Sequence, residues 1–199
     1  MKRDAVVFLV SGAFFGLLVG WILGSQQGRP VVPGAAPAAQ AAPQPAGTTA
    51  APPLDKNRAR ALQATADANP SDAATRVALG NVYFDAERYA EAIRWYEAAI
   101  AIDPGNVNAS TDLGVAYYYS NQADRALAQF DHSLSIDPTH AKTLLNMGIV
   151  RAFGKQDLAG AVEAWQKVVE VAPGTPESRA AQQALDSVKS AHPGVGGSS

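Results

Sequence analysis

The side chains of this 199-residue chain that could ligate a metal or move a proton are three histidines, His132, His140 and His192, and eighteen carboxylates. A metal site on a helix wants ligands stacked on one face at i and i+4. The histidines instead fall in a helix interior, an inter-helix turn and the tail, with no such pairing. Zero cysteine excludes disulfides, thiolate nucleophiles and lipid attachment at a cysteine. Asp85, Glu87, Glu91, Glu97, Glu163 and Glu170 suit solvated helix faces better than a general acid and base facing one another. No phosphate-binding glycine loop, serine-centred elbow or dinucleotide fingerprint is present. A formal net charge of −2 gives no electrostatic footprint for nucleic acid. The sequence therefore predicts no enzyme, metal or cofactor, and function must come from a surface.

The elements that would build that surface repeat. Pro70, Pro104 and Pro138 are 34 residues apart, and Pro173 follows after 35. Alignment on these prolines stacks Leu79, Gly80 and Tyr83 over Leu113, Gly114 and Tyr117, then over Met147, Gly148 and Arg151. Ala92, Tyr96 and Ala99 stack over Ala126, Phe130 and Ser133, then over Ala161, Trp165 and Val168, with one extra residue placed between Gly154 and Gly160. Each trio lies on one side of a helix, so each unit reads as two helices whose small residues admit close approach and whose large ones fill the remaining space. Proline cannot continue the second helix and fixes the turn into the next unit.

These residues resemble the tetratricopeptide repeat family, whose 34-residue helix–turn–helix pattern they follow. The resemblance implies an all-α solenoid of three repeats, at 73–106, 107–140 and 141–175, within a domain spanning 54–191. Helices are predicted at 72–85, 89–101, 106–119, 123–135, 140–153 and 158–171, with Ser71 and Thr139 as N-caps and Gly154 as a left-handed helix end. An extra N-terminal helix from Leu54 to Ala68 puts Leu62 and Thr65 at the aromatic and alanine positions of later copies. A C-terminal capping helix, 175–191, opens with Thr175 and Pro176; the tail 192–199 is expected to be disordered. The family's concave wall is lined by first helices. Carried over by position, it comprises Val77, Asn81 and Phe84, then Asn108, Thr111, Asp112, Val115, Tyr118 and Tyr119, then Lys142, Leu145, Asn146, Ile149 and Phe153. At least one of Tyr118 and Tyr119 is expected to be exposed, because Tyr117 holds the core position. The family's variant that clamps a terminal carboxylate does not fit. Val77, Asp112 and Asn146 stand where its ligating residues are required, and only Asn81 and Lys142 match.

Ahead of the repeats, 1–4 reads as a cytoplasmic start with Lys2 and Arg3, and 5–24 is an uncharged apolar run. At about 1.5 Å per residue, twenty residues make roughly the 30 Å of a bilayer core, so a single transmembrane signal-anchor is expected, with a cleaved signal peptide as the alternative. The positive-inside rule then places the repeats on the periplasmic side of a bacterial inner membrane. Gly12, Gly16, Gly20 and Gly24 form a small-residue ridge suited to helix pairing, either in a homodimer through the membrane helix or with another membrane partner. Residues 25–53 hold seven prolines, nine alanines and one charge, the composition of an Ala/Pro-rich disordered linker.

The layout of anchor, linker and repeats is similar to the repeat-bearing subunits of c-type cytochrome maturation systems. The expected function is non-catalytic capture of a protein or peptide client in the concave groove, held at the membrane for complex assembly. A self-associating scaffold and an accessory subunit of a membrane enzyme complex are the alternatives.

Overall fold

The computed structural model describes residues 51–192. The predicted membrane helix with its glycine ridge, all of the linker before residue 51 and the tail beyond His192 lie outside the described residues. Among the described residues no helix is long and apolar enough to cross a membrane.

Among the described residues eight α-helices follow one another: α1 Lys56–Ala68, α2 Ala73–Asp85, α3 Tyr89–Ile102, α4 Val107–Tyr119, α5 Ala123–Ile136, α6 Ala141–Ile149, α7 Leu158–Val171 and α8 Pro176–Ala191. Each helix packs chiefly on its neighbours in sequence, which is the contact pattern of a solenoid. The aligned trios are the reason. Leu79, Ala92, Tyr96 and Ala99, and their counterparts Leu113, Ala126, Phe130 and Ser133, are all buried. The glycine of each first helix lies under the aromatic of its second. A Cβ on Gly80, Gly114 or Gly148 would collide with the ring of Tyr96, Phe130 or Trp165, respectively.

The first helix of each repeat starts one residue later than the sequence reading, whereas the second helices start where it placed them. Asp72, not Ser71, caps α2, its carboxylate accepting from the Thr75 amide at 3.0 Å and the Thr75 hydroxyl at 2.6 Å. Those bonds hold the Asp72 carboxyl below the usual carboxylate range. His140, not Thr139, precedes α6; Thr139 turns its amide and hydroxyl to Asp137 instead. Thr175 and Pro176 open α8 as expected. Gly154 does not supply a left-handed helix end. The left-handed residue of the three intra-repeat turns is Glu87, Asn121 and Gln156, with φ of 57°, 59° and 56°.

Those turns also locate the extra residue. Glu87 and Asn121 are 34 apart but Gln156 comes 35 later, so the insertion precedes Gln156. Residues Val150–Gly154 absorb it as a π-helical turn, closed by the Lys155 amide on the Val150 carbonyl at 3.1 Å. A looser ring takes in one residue without breaking the helix. Gly154 sits where this turn meets the second repeat: a Cβ there would be 3.1 Å from both Ala123 Cβ and the Tyr118 ring.

In α1 the buried residues are Ala59 and Ala66, while Thr65 is exposed and Leu62 half-buried. Ala59 and Ala66 form a cluster with Leu79 and Val82 of α2, and Leu62 packs against that cluster while Thr65 stays exposed.

Candidate functional site

The side chains expected to line the concave wall divide by repeat. On α2, Asn81 is exposed and Val77 and Phe84 are half-buried; on α4, Asn108 is exposed and Asp112, Val115, Tyr118 and Tyr119 are half-buried. On α6 the positions are filled in: Leu145 is 3% exposed, Ile149 5% and Asn146 8%, leaving Lys142 and Phe153 half-buried. The last helix, α8, packs against both α6 and α7 and occupies the place of a fourth repeat's first helix. Thr111 of α4 is also fully buried.

Thr111 belongs to the joint between the second and third repeats. Its hydroxyl donates to the Val107 carbonyl at 2.7 Å and lies 2.6 Å from the Thr143 hydroxyl, which is 2.7 Å from His140 Nδ1. A carbonyl only accepts, so the chain of protons has one direction: His140 Nδ1–H to Thr143, Thr143 to Thr111, Thr111 to Val107. This fixes the His140 tautomer. Burial pushes the imidazole pKa down, against a nearby Asp137 that pulls it up. His140 is thus part of an inter-repeat hydrogen-bond chain.

The polar groups of the wall are largely committed. Asn81 Oδ1 accepts from the Tyr96 hydroxyl at 2.7 Å, which leaves its amide donors for a ligand. Lys142 Nζ reaches Asp112 Oδ1 at 2.6 Å, bridging two repeats, and Asn146 Nδ2 donates to the Lys142 carbonyl at 2.8 Å. Asn81 and Lys142, the two residues that matched the carboxylate-clamp variant, are therefore both engaged within the domain. Among the described residues no group of three or more His, Asp and Glu side chains is placed to hold a metal ion.

The rings at the C-terminal ends of α2 and α4 form a row that the first-helix pattern did not contain as a unit. Phe84 meets Tyr89 edge-on at 5.2 Å and Tyr119 at 5.5 Å, Tyr89 stacks on Tyr119 at 5.1 Å, and Tyr118 meets Tyr119 at 5.7 Å. All four rings are half-buried. Burial raises the phenol pKa of Tyr89, Tyr118 and Tyr119, so all three are neutral donors at neutral pH. Tyr89 was missed because it opens a second helix, outside the concave-wall positions. Its signal in the sequence is an aromatic at the first position of α3, beside the turn that follows Phe84.

Residues 80–121, from Gly80 in α2 to the turn after α4, match the family model described as TPR repeat. Over those residues the chain matches the TPR repeat. Among solved structures its fold is similar to that of the crystal structure of MamA, at 22% identity over 67% of this chain and 75% of that one, with a TM-score of 0.59. The TPR domain of Sgt2 from Aspergillus fumigatus matches at 25% identity over 62% of this chain and 83% of its own, TM-score 0.54. The first TPR of Spaghetti (RPAP3), bound to the HSP90 peptide SRMEEVD, matches at 24% identity over 69% and 95%, TM-score 0.51. The likeness in each case is one of fold. No curated relative matches the chain.

Proposed function

We propose that the tetratricopeptide domain binds an extended segment of a partner protein along the concave face of α2 and α4, and that the apolar N-terminal segment tethers this module to a membrane. The observation that carries the reading is the contrast between repeats: the wall of the first two is open, with exposed Asn81 and Asn108 beside half-buried Val77 and Val115, whereas that of α6 is closed. Half-buried apolar groups interleaved with amide donors suit a peptide held by side-chain burial and by hydrogen bonds to its backbone. The fold supports the same reading, since the similar RPAP3 domain is a peptide complex.

The site differs chemically from a carboxylate clamp. Lys142 is paired with Asp112, and the ion pair offers a terminal carboxylate no net positive charge. An internal, uncharged stretch of the client fits better. The layout of an anchor, a linker and repeats, similar to that of c-type cytochrome maturation subunits, supports a role in complex assembly on the periplasmic side of an inner membrane.

A photo-crosslinking residue at Asn81 of the full-length chain in native membranes tests this, with exposed Arg94 of α3 as control. A discrete partner captured from Asn81 and absent from Arg94 is expected. Capture of the same chain from both positions would replace the reading with a self-associating scaffold.

A further inference from the structure

Charge is unevenly answered along the open part of the groove. Within their helical spans α2 and α4 carry two carboxylates, Asp85 and Asp112, and one cation, Arg76. The Arg76 guanidinium is spent on backbone, donating to the carbonyls of Asn69 and Asp72. Asp112 is met by Lys142 at 2.6 Å. Asp85 is met by nothing: it makes no hydrogen bond or ion pair among the described residues, and Arg58 of α1 acts on it only from beyond ion-pair distance. Neighbouring groups strip enough water from its carboxyl to push the pKa up, a cost that no bond within the domain offsets.

One turn before Asp85 on the same face of α2 stands Asn81, and its surroundings are peculiar to the first repeat. Asn81 is matched by Val115 and Ile149 in the later copies, while the aromatic over the glycine changes from Tyr96 to Phe130 and Trp165. Packing needs only a ring over the glycine, as Phe130 over Gly114 demonstrates. The hydroxyl of Tyr96 therefore has its consequence at Asn81, where it donates to Oδ1 at 2.7 Å and leaves both Nδ2 hydrogens for a ligand. Burial, then Asp112 and Asp85, push the Tyr96 phenol up, so it stays a donor and the amide keeps this orientation. A fixed donor and an unanswered carboxylate thus lie side by side on the open wall.

We propose that the client segment presents a lysine or arginine side chain to Asp85, with Asn81 donating to a backbone carbonyl beside it and flanking uncharged residues lying over the Asp112–Lys142 pair. A carboxamide would also match a donor next to an acceptor, but a neutral group leaves the desolvated charge uncompensated and a cation does not. Exposed Glu87, in the turn that follows α2, adds negative potential at the same end and steers a cationic segment toward it. The inference rests on the groove reading and adds the charge and place of one client residue.

Random dodecapeptides displayed on phage and selected on the immobilised full-length chain in detergent test this without a known client. Peptides sharing a lysine or arginine at one position are expected, and they should crosslink to a photo-reactive residue at exposed Asn108 and not at Arg94. A selected peptide labelled with fluorescein should bind Asp85→Asn about fivefold or more weakly by anisotropy. Replacing its basic residue by glutamate should abolish binding to the native chain and restore it to Asp85→Lys, an exchange that a merely structural role for Asp85 would not produce. Tyr96→Phe, which frees the Asn81 amide to turn, should weaken binding while keeping the charge preference. Peptides that crosslink at Asn108 without a basic preference, or with one that Asp85→Lys leaves unchanged, overturn the proposal and leave the groove reading standing. No peptide selected above a chain-free surface, or none that crosslinks at Asn108, overturns both.

Discussion

Gly114→Ala tests the packing rule on which the solenoid rests. At an exposed helix position the substitution stabilises by about 1 kcal/mol, because alanine loses less backbone entropy than glycine. Here the added Cβ would be 2.7 Å from Phe130 Cδ1 and closer still to Cε1, whereas ordinary contact begins near 3.4 Å. The ring must withdraw by at least 3.4 − 2.7, about 0.7 Å, in a site where Phe130 is fully buried and bounded by Ala126, Leu113 and Met147. Overpacking of this kind costs about 1–3 kcal/mol, and the central location puts Gly114 at the upper end. The net expectation is a loss of about 2 kcal/mol after the helix-propensity gain, read by urea unfolding followed by circular dichroism. Phe130→Leu in the Gly114→Ala background should lose less than the sum of the two single changes, since the smaller side chain makes room for the methyl. Gly105→Ala, whose Cβ would meet only Asp103 Oδ1 at 3.7 Å, serves as the neutral control. Stabilisation by Gly114→Ala, or strict additivity with Phe130→Leu, would refute the close-approach argument.

Thr143→Val should cost about 1–3 kcal/mol in the same unfolding assay, because it leaves the His140 Nδ1 proton without its acceptor in a buried joint. The His140 pKa is lowered from 6.5 by burial, so its contribution to stability is complete above 6.5 and is lost as pH falls through the folded value. Histidine proton shifts followed against pH should place its midpoint below 6.5. At the alkaline end the sign reverses. The Tyr117 phenol, pushed up to about 12 by burial and by its hydrogen bond to Glu97, stays neutral as the unfolded chain ionises near 10, so stability should decline from pH 10 toward 12. A phenolate absorbance titration with a midpoint at 10 and no unfolding would contradict this. Arg151→Tyr, which restores the residue type of the first two repeats, should stabilise by about 1 kcal/mol by removing a buried Nε that has no hydrogen-bond partner.

The repeat was legible in the sequence because its determinants are local and spaced by the helix itself. A proline that ends one helix, a glycine that admits a ring and the aromatic that supplies it recur at fixed separations, and the helices appeared within one or two residues of their predicted bounds, except that the one predicted at 140–153 ends at Ile149 and continues as the π turn Val150–Gly154. Single residues at helix ends were less legible. Ser71 and Asp72 are both competent caps, and only the local hydrogen bonds with Thr75 select Asp72. The extra residue of the third repeat was visible as a count of 35, but its uptake as a π turn depends on the contacts around Val150 and Gly154.

What the sequence by itself determined is the unit: two helices, their mutual face and the order of the copies, all set by neighbours fewer than 35 residues apart. Tertiary structure alone decided which concave positions stay open, because that depends on the element beyond each helix. Asn146 and Ile149 occupy the same register as Asp112 and Val115, which stay half-buried on α4, yet they are buried on α6, whereas Leu145 is buried as its counterpart Thr111 is. The same reason joins Tyr89 to Phe84, Tyr118 and Tyr119. Rings from three helices meet only after the repeats have stacked, and no spacing within one helix records that meeting.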